Sequence, residues 1–202
     1  DLHSFPTRRS SDLHIALAAE KDVALRFAAS PDDLRGADVV ILPGSKNTLG
    51  VLDYLVTSGF PEALESHVHR GGELVGVCGG YQMLGHAIAD PKGLERGGTS
   101  TGLGFLDVTT ELDAPKICRQ VCATSLLHGV APHAPVRGYE IHMGRTSRGS
   151  VNPCFHIEGS EIRETNPRGN EGAVNESGLV WGTSIHGDRK STRLNSSHPY
   201  RS

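Results

Sequence analysis

The sequence of 202 residues lacks any run of the roughly 18–20 consecutive apolar residues that a membrane-spanning helix requires. It also lacks an excess of positive charge, because 20 Lys and Arg residues against 23 Asp and Glu residues give a formal net charge of −3. The Lys and Arg residues are scattered, whereas binding to a phosphate backbone needs them clustered. We therefore expect neither a membrane nor a nucleic acid among the partners of this chain.

Cysteine is also scarce, with four residues at positions 78, 118, 122 and 154. These are too few for a disulfide scaffold, and the first residues lack the charged and then apolar pattern of a signal peptide. We therefore expect a cytoplasmic protein. No second pair at metal-ligand spacing accompanies Cys118 and Cys122, so we predict no metal site.

Both ends of the chain lack the apolar periodicity of helices and strands. Residues 1–13 (DLHSFPTRRSSDL) and 188–202 (DRKSTRLNSSHPYRS) are rich in Ser and Arg. The back-translation of 188–198 resembles a strand of a common sequencing-library adapter, and 1–13 resembles the translation of the opposite adapter. We predict that both ends are non-native adapter-like tails and that the natural domain comprises 14–187, incomplete at its C-terminus.

The order of the segments between these ends predicts an α/β fold. Residues 38–44 and 73–77 are apolar runs typical of strands buried on both faces of a parallel sheet. Helices are predicted at 31–35, 49–56, 61–70 and 79–88. After Gly102 the pattern changes to short strand-like stretches, and a turn at 176–178 leads into the strand 179–184 of a hairpin. Alternating strands and helices of this spacing favour a mostly parallel sheet.

The strongest chemical signal follows the second of these strands. Residues 76–80, GVCGG, form a G-x-C-x-G sequence between a predicted strand and a predicted helix, the sulfur counterpart of a nucleophile elbow. A nucleophile on such a sharp turn needs neighbours without a Cβ, which explains Gly76 and Gly80. A helix N-terminus favours the thiolate of Cys78, and the N–H of Gly79 can donate to an oxyanion. Cys78 is therefore a candidate nucleophile, with a buried structural cysteine as the alternative.

A nucleophilic cysteine needs a base, and eleven histidines compete for this role. His186 follows a predicted strand and therefore lies at the rim of the sheet, as Cys78 does. His142 is the second candidate. His67, His69 and His86 fall on predicted helices, where we expect them to be exposed to solvent.

Four segments carry a resemblance to a known family: VILPGSKNT at 40–48, VGVCGGYQMLG at 75–85, GYEIHMGRT at 138–146 and WGTSIHG at 181–187. In this order they are similar to the C-terminal glutamine amidotransferase domain of the cobyric acid synthases, within the class I (triad) amidotransferases. The resemblance implies a flavodoxin-like α/β domain with a mostly parallel central sheet, helices on both faces, and additional antiparallel strands in the C-terminal half. It also implies a domain that hydrolyses glutamine and delivers ammonia for the amidation of adenosylcobyrinic acid a,c-diamide in cobalamin biosynthesis.

The same resemblance implies a role for each site residue. Cys78 would attack the side-chain amide of glutamine, and His186 would transfer the protons. The N–H of Gly79 and one from the turn of Gly44 and Ser45 would hold the oxyanion. No cofactor is expected in this domain, because ATP and Mg²⁺ would belong to an N-terminal synthetase domain that also binds the corrinoid substrate.

Two further positions follow from the family pattern. Gln82 matches the position that contacts bound glutamine, and an ordinary helix residue is the alternative. The wider class has a Glu two residues after the catalytic His, where this chain has Asp188. Because Asp188 begins the predicted tail, we do not assign it the orienting role, and Glu140 is a candidate in its place.

Other functions are open at this point. The glutaminase domain of cobyrinic acid a,c-diamide synthase and the glutaminase subunit that acts on cell-wall precursors share the motifs around Cys78 and His186. An interaction domain without activity belongs to a different class of function, and a cysteine hydrolase or peptidase on the same scaffold is a third alternative. Turnover of glutamine would distinguish a glutaminase from an interaction domain without activity and from a cysteine hydrolase or peptidase.

Overall fold

A computed structural model describes residues 17–127, 133–158 and 169–187. The predicted tails, 1–13 and 188–202, lie outside these residues, and their origin stays a prediction. The described helices are α1 (Thr48–Thr57), α2 (Phe60–His69) and α3 (Gly79–Met83), preceded by a 3-10 turn at Pro31–Leu34. In this part of the chain, no helix is both long enough and apolar enough to cross a membrane.

Thirteen strands are described. In chain order they are β1 (Val39–Leu42), β2 (Glu73–Val77), β3 (Ala87–Asp90), β4 (Gly98–Thr101), β5 (Val108–Glu111), β6 (Ile117–Ser125), β7 (Pro135–His142), β8 (Arg145–Arg148), β9 (Phe155–Ile157), β10 (Asn170–Glu171), β11 (Ala173–Val174), β12 (Val180–Thr183) and β13 (Ile185–His186).

The central sheet has the strand order β1-β2-β12-β11. Its first three strands are parallel, and β11 joins β12 as the predicted antiparallel hairpin. A second sheet, β10-β9-β6-β7-β13, is antiparallel, and a third has the order β4-β3-β5-β8. The predicted α/β class, with a mostly parallel central sheet and antiparallel strands in the C-terminal half, is confirmed.

The main core lies between the central sheet and its helices. In the register of β1 and β2, Val40 lies opposite Leu74, so both side chains share a face of the sheet. These residues belong to one buried cluster with Leu49 and Leu52 of α1 and Leu64 of α2. The apolar helix faces therefore fix the sheet whose strand ends carry the site.

The predicted helix over 79–88 is wrong in its second half. Helix α3 ends at Met83, and the following residues form β3, which pairs with β5 in parallel register. The break falls at Gly85, where the chain passes close to β5. A Cβ at this position would lie 2.6 Å from the carbonyl oxygen of Val108, so only glycine allows this approach. The N–H of His86 donates to that same oxygen at 2.8 Å, so pairing with β5 replaces the helix.

The expected exposure of the three helix-assigned histidines is confirmed for His69 and His86 and wrong for His67. His67 is buried because it lies one turn after Leu64, on the face of α2 that packs on the sheet, and its Nε2 lies 3.0 Å from the carbonyl oxygen of Glu73. His86 lies outside the helices, half-exposed, 3.6 Å from a carboxylate oxygen of Asp107.

A buried carboxylate shapes the loop between β3 and β4. Asp90 is fully buried and accepts the N–H groups of Leu94, Glu95, Arg96 and Gly97 at 2.8–3.0 Å. Burial raises the pKa of Asp90, but these four hydrogen bonds outweigh it and lower the pKa to about 2. The loop in turn places Glu95 at the N-terminus of α1, where its carboxylate accepts the N–H groups of Thr48 and Leu49.

We predict that Asp90→Asn destabilises the fold at pH 7, because an amide cannot replace a charged acceptor of four N–H groups. A lowered pKa in the folded state makes the carboxylate stabilising above its unfolded pKa of about 3.9, and this stabilisation is lost as the pH falls toward the folded value. The difference in melting temperature between wild type and variant should therefore shrink as the pH falls below about 4. Asp32→Asn, at an exposed carboxylate, is the control. A difference that does not change with pH would contradict the proposed role of Asp90.

Candidate active site

Cys78 occupies a strained turn directly between β2 and α3. Its φ of 56° and ψ of −113° lie in a region that L-residues other than glycine rarely adopt. The N–H of Cys78 donates to the carbonyl oxygen of Thr183 at 2.8 Å, so the ladder between β2 and β12 continues into the turn. The predicted strand, turn and helix around this cysteine are thus present, with the backbone strain that nucleophile elbows share.

The glycines on either side of Cys78 are required by close backbone contacts. A Cβ on Gly76 would lie 2.7 Å from the backbone nitrogen of Tyr81, and a Cβ on Gly80 would lie 1.8 Å from the carbonyl oxygen of Leu42. The explanation given for both glycines from the sequence is confirmed.

A cavity of about 200 Å³ opens where β1, β2 and β12 end. Parallel strands bring their carboxyl ends to one edge of a sheet, which is where α/β folds bind ligands. All six residues predicted for the site line this cavity: Gly44, Ser45, Cys78, Gly79, Gln82 and His186. The charged side chains of Lys46, Glu95 and Lys116 line it as well.

The turn after β1 lies against the elbow. A Cβ on Gly44 would approach the Cβ of Cys78 to 3.1 Å and its Sγ to 3.5 Å. A Cβ on Gly79 would lie 3.2 Å from the backbone nitrogen of Ser45. The turn and the elbow, which are both predicted to donate to an oxyanion, therefore lie against each other beside the sulfur.

His186 reaches the cavity because the chain changes sheets just before it. Thr183 ends β12 opposite Val77, and β13 then pairs with β7, with His186 opposite Tyr139. The side chain of Glu171 holds this crossing. Its Oε2 accepts the hydroxyl of Thr183 at 2.5 Å, and its Oε1 accepts the N–H of Ser184 at 2.7 Å.

Sequence reasoning missed Glu171. Burial raises the pKa of this carboxyl, and the negative charge of Glu140 raises it further, against the hydrogen bonds from Thr183 and Ser184. Its sequence signal is weak: one acidic residue in a strand-like stretch, next to a glycine.

The end of β7 forms one wall of the site. The Sγ of Cys78 lies 3.1 Å from the carbonyl oxygen of Ile141, and the Nε2 of Gln82 donates to the carbonyl oxygen of Met143 at 2.8 Å. Gln82 is almost fully buried, at 3% exposure. The GYEIHMG segment, which supports the family resemblance, therefore contacts both Cys78, the predicted nucleophile, and Gln82, the residue predicted to bind glutamine.

Glu140 and His142 form a buried ionic cluster with Arg119. The carboxylate of Glu140 accepts from His142 Nε2 at 2.9 Å and from Arg119 Nε at 2.5 Å. Burial raises the pKa of Glu140, but these hydrogen bonds and the nearby charges outweigh it, so the net shift is downward. His142 Nδ1 faces the carbonyl oxygen of Gly144 at 3.0 Å, so both ring nitrogens face acceptors. Glu140 lies opposite Ile185 in the register, and its carboxylate interacts with His142 and Arg119.

No group of three His, Cys, Asp or Glu residues in the described ranges could hold a metal ion. The four cysteines, all in the described ranges, form no disulfide: Cys118 and Cys122 are exposed on β6, Cys154 is buried, and Cys78 is partly buried at the elbow. The cavity brings together a thiol, from Cys78, and an imidazole, from His186.

Comparison with known proteins gives the family. The profile of the CobB/CobQ-like glutamine amidotransferase domain matches residues 10–193, and the chain belongs to this family. It is 45% identical over 174 residues to the cobyric acid synthase of Rhodobacter capsulatus and 44% identical over 181 residues to that of Klebsiella pneumoniae. The resemblance inferred from the four sequence segments is confirmed.

The matches cover most of this chain but only part of each relative. Each alignment covers 85% of this chain but 34% of the relative, so the chain spans about one third of the length of the curated relatives it matches. A solved structure described as a glutamine amidotransferase shares the fold, with a TM-score of 0.59 and 16% identity, covering 89% of this chain and 84% of that chain.

We predict that Gly80→Ala strongly destabilises the fold, because its Cβ would overlap the backbone at Leu42, which cannot move without displacing β1. Overpacking typically costs about 1–3 kcal/mol, and we expect the upper end or more here. For a chain of this size the melting temperature should fall by about 6–12 °C. Gly187→Ala is the matched control, because nothing lies within 4 Å of its Cβ position. Equal melting temperatures for the two variants would contradict the observed approach of α3 to β1.

Proposed function

We propose that this domain is the glutaminase domain of a cobyric acid synthase. It hydrolyses L-glutamine and supplies ammonia for the ATP-dependent amidation of adenosylcobyrinic acid a,c-diamide in cobalamin biosynthesis. The observation that carries the proposal is the elbow cysteine, Cys78, at the same cavity as His186. The identity of 44–45% to two cobyric acid synthases supports the corrinoid as the acceptor.

The first half of the reaction forms a thioester. His186 takes the proton of the Cys78 thiol, and the sulfur attacks the side-chain amide carbon of glutamine. The oxyanion of the tetrahedral intermediate accepts hydrogen bonds from the N–H of Gly79 and from the turn of Gly44 and Ser45. The C–N bond then breaks, and His186 returns the proton to the departing ammonia.

The second half releases glutamate. His186 removes a proton from a water molecule, which attacks the thioester carbon. The same N–H groups hold the oxyanion again, and the C–S bond breaks to restore the thiol of Cys78 and free glutamate. Every proton is transferred through one imidazole, so these two steps need no group beyond the protein and water.

The charges at the cavity suit a free amino acid. Glutamine carries an ammonium and a carboxylate on its α-carbon, and the cavity has both an acidic side chain, Glu95, and basic side chains, Lys46 and Lys116. Gln82, held by Met143, would contact the bound substrate. The Cys78 thiol donates a hydrogen bond to the carbonyl oxygen of Ile141 at 3.1 Å. This hydrogen bond must break when the thiol proton is transferred to His186.

The other components would lie outside this domain. We place ATP, Mg²⁺ and the corrinoid on a synthetase domain N-terminal to this one, and we expect no cofactor in the glutaminase domain itself. The cytoplasm is the proposed location, because its reducing conditions keep a catalytic thiol free. Ammonia would pass from the cavity to the synthetase domain.

We predict that the 202-residue chain releases ammonia from L-glutamine and that Cys78→Ser lowers the rate at least about 1,000-fold, because the weaker hydroxyl nucleophile replaces the thiol. His186→Asn should lower it at least about 100-fold, since the base is lost. Cys122→Ser, at an exposed cysteine outside the cavity, is the control and should leave the rate unchanged. Ammonia is measured by a coupled assay.

The contrary outcomes identify the alternatives. If a folded chain neither releases ammonia nor reacts with a glutamine-analogue electrophile, the interaction domain without activity is supported. Turnover of esters or peptides without turnover of glutamine would support a cysteine hydrolase instead.

A further inference from the structure

We propose that Glu171 is a positioning residue for the reaction: its carboxylate holds the crossing from β12 to β13 so that Cys78 and His186 keep one arrangement. The inference rests on the proposed function in so far as these two residues are the reacting pair. Glu171 itself acts through Thr183 and Ser184, and we assign it no contact with the substrate.

Local structure brings Glu171 beneath the crossing. It ends β10, and Gly172 follows in a left-handed conformation with φ of 71°. A Cβ on Gly172 would lie 2.5 Å from the carbonyl oxygen of Gly182, so the chain passes tightly against β12 before β11 pairs with it. The Glu171 side chain is 7% exposed, and each carboxylate oxygen has a partner in the segment that leads to His186.

Thr183 transmits the effect to both reacting groups. Its carbonyl oxygen accepts the N–H of Cys78 at 2.8 Å, and its Oγ1 accepts the N–H of Ile185 at 3.0 Å. Because the Oγ1 already accepts from Ile185, the hydroxyl hydrogen is directed to Glu171. One carboxylate therefore fixes a residue that holds the elbow on one side and sets the path to His186 on the other.

The crossing needs such an acceptor. Where the chain leaves the central sheet, Ser184 lies between two strands, and its N–H donates to Glu171 rather than to a neighbouring strand. Without the carboxylate, this N–H and the Thr183 hydroxyl would be left in a buried site without their acceptor, and the backbone would move to find another.

The neighbouring carboxylate does not have this role. Glu140 lies in the same region, but its two oxygens accept from His142 and Arg119. Of these two buried carboxylates, Glu171 is therefore the one bonded to the β12–β13 crossing.

The test compares Glu171→Ala and Glu171→Gln with Glu73→Gln in the 202-residue chain. Glu73 is a matched control because its carboxylate accepts a hydrogen bond from the indole of Trp181. Trp181 lies on β12, as Thr183 does, but away from the crossing. Three quantities are measured: kcat and KM for glutamine, the rate of Cys78 alkylation by iodoacetamide from pH 6 to 9, and the folded fraction at the assay temperature.

We expect Glu171→Ala to lower kcat by about 10- to 100-fold with a KM within about 3-fold of wild type, since misplaced reacting groups lose rate rather than binding. Alkylation at pH 7 should slow at least about 5-fold, and the difference should close toward pH 9, where the thiol ionises without help from His186. In Glu171→Gln, kcat and the alkylation rate should both fall less than in Glu171→Ala, because the amide oxygen still accepts the Ser184 N–H. Glu73→Gln should match wild type.

Unchanged kcat and unchanged alkylation in a folded Glu171→Ala chain would overturn the proposal, as would a loss of rate no larger than the loss of folded protein. If Glu171→Ala does not fold, Glu171→Gln and Thr183→Val, which removes the bridging hydroxyl, are judged by the same two criteria. If wild type does not turn over glutamine, the proposed function fails, and the alkylation profiles still decide whether Glu171 positions the pair.

Discussion

The backbone turn at Cys78 is the constraint on which the rest of the structure depends. A φ of 56° at a residue other than glycine persists only where the surroundings leave no alternative. Here the N–H of Cys78 is bound by Thr183, and Gly80 passes so close to Leu42 that no side chain fits between them. The turn therefore requires a central strand, β2, with β1 and β12 on either side of it.

The site is assembled from two sheets with different tasks. The parallel sheet supplies the sulfur of Cys78 at its carboxyl edge, where the elbow lies against the turn of Gly44 and Ser45. The antiparallel sheet supplies His186, and Ile141 of β7 together with Met143 just after that strand forms the wall that contacts Cys78 and Gln82. The two sheets meet at the β12–β13 crossing, so this crossing lies between the elements that carry Cys78 and His186.

The sequence was sufficient where local chemistry decides the structure. The apolar runs of β1 and β2 are short and end in turn residues, and the glycines around Cys78 supply the room that a sharp turn needs, so strand, turn and nucleophile could be assigned together. The strand positions of Cys78 and His186 predicted a common rim. The helix assigned over 79–88 failed because the apolar residues Leu84 and Ile88 suit a helix or a strand equally, and pairing with β5 decides between them. Glu171 could not be predicted because its partners lie 12 and 13 residues away and are fixed only by the fold.

The nucleophilic role of Cys78 is tested most directly by mapping where a glutamine-analogue electrophile attaches to the chain. Peptide mass spectrometry should find one adduct, on the peptide that contains Cys78, and excess L-glutamine should prevent its formation. The other cysteines, exposed or buried, serve as internal controls in the same sample. An adduct on Cys118, Cys122 or Cys154 instead, or labelling of Cys78 that glutamine does not prevent, would contradict the assignment of this elbow as a glutaminase site.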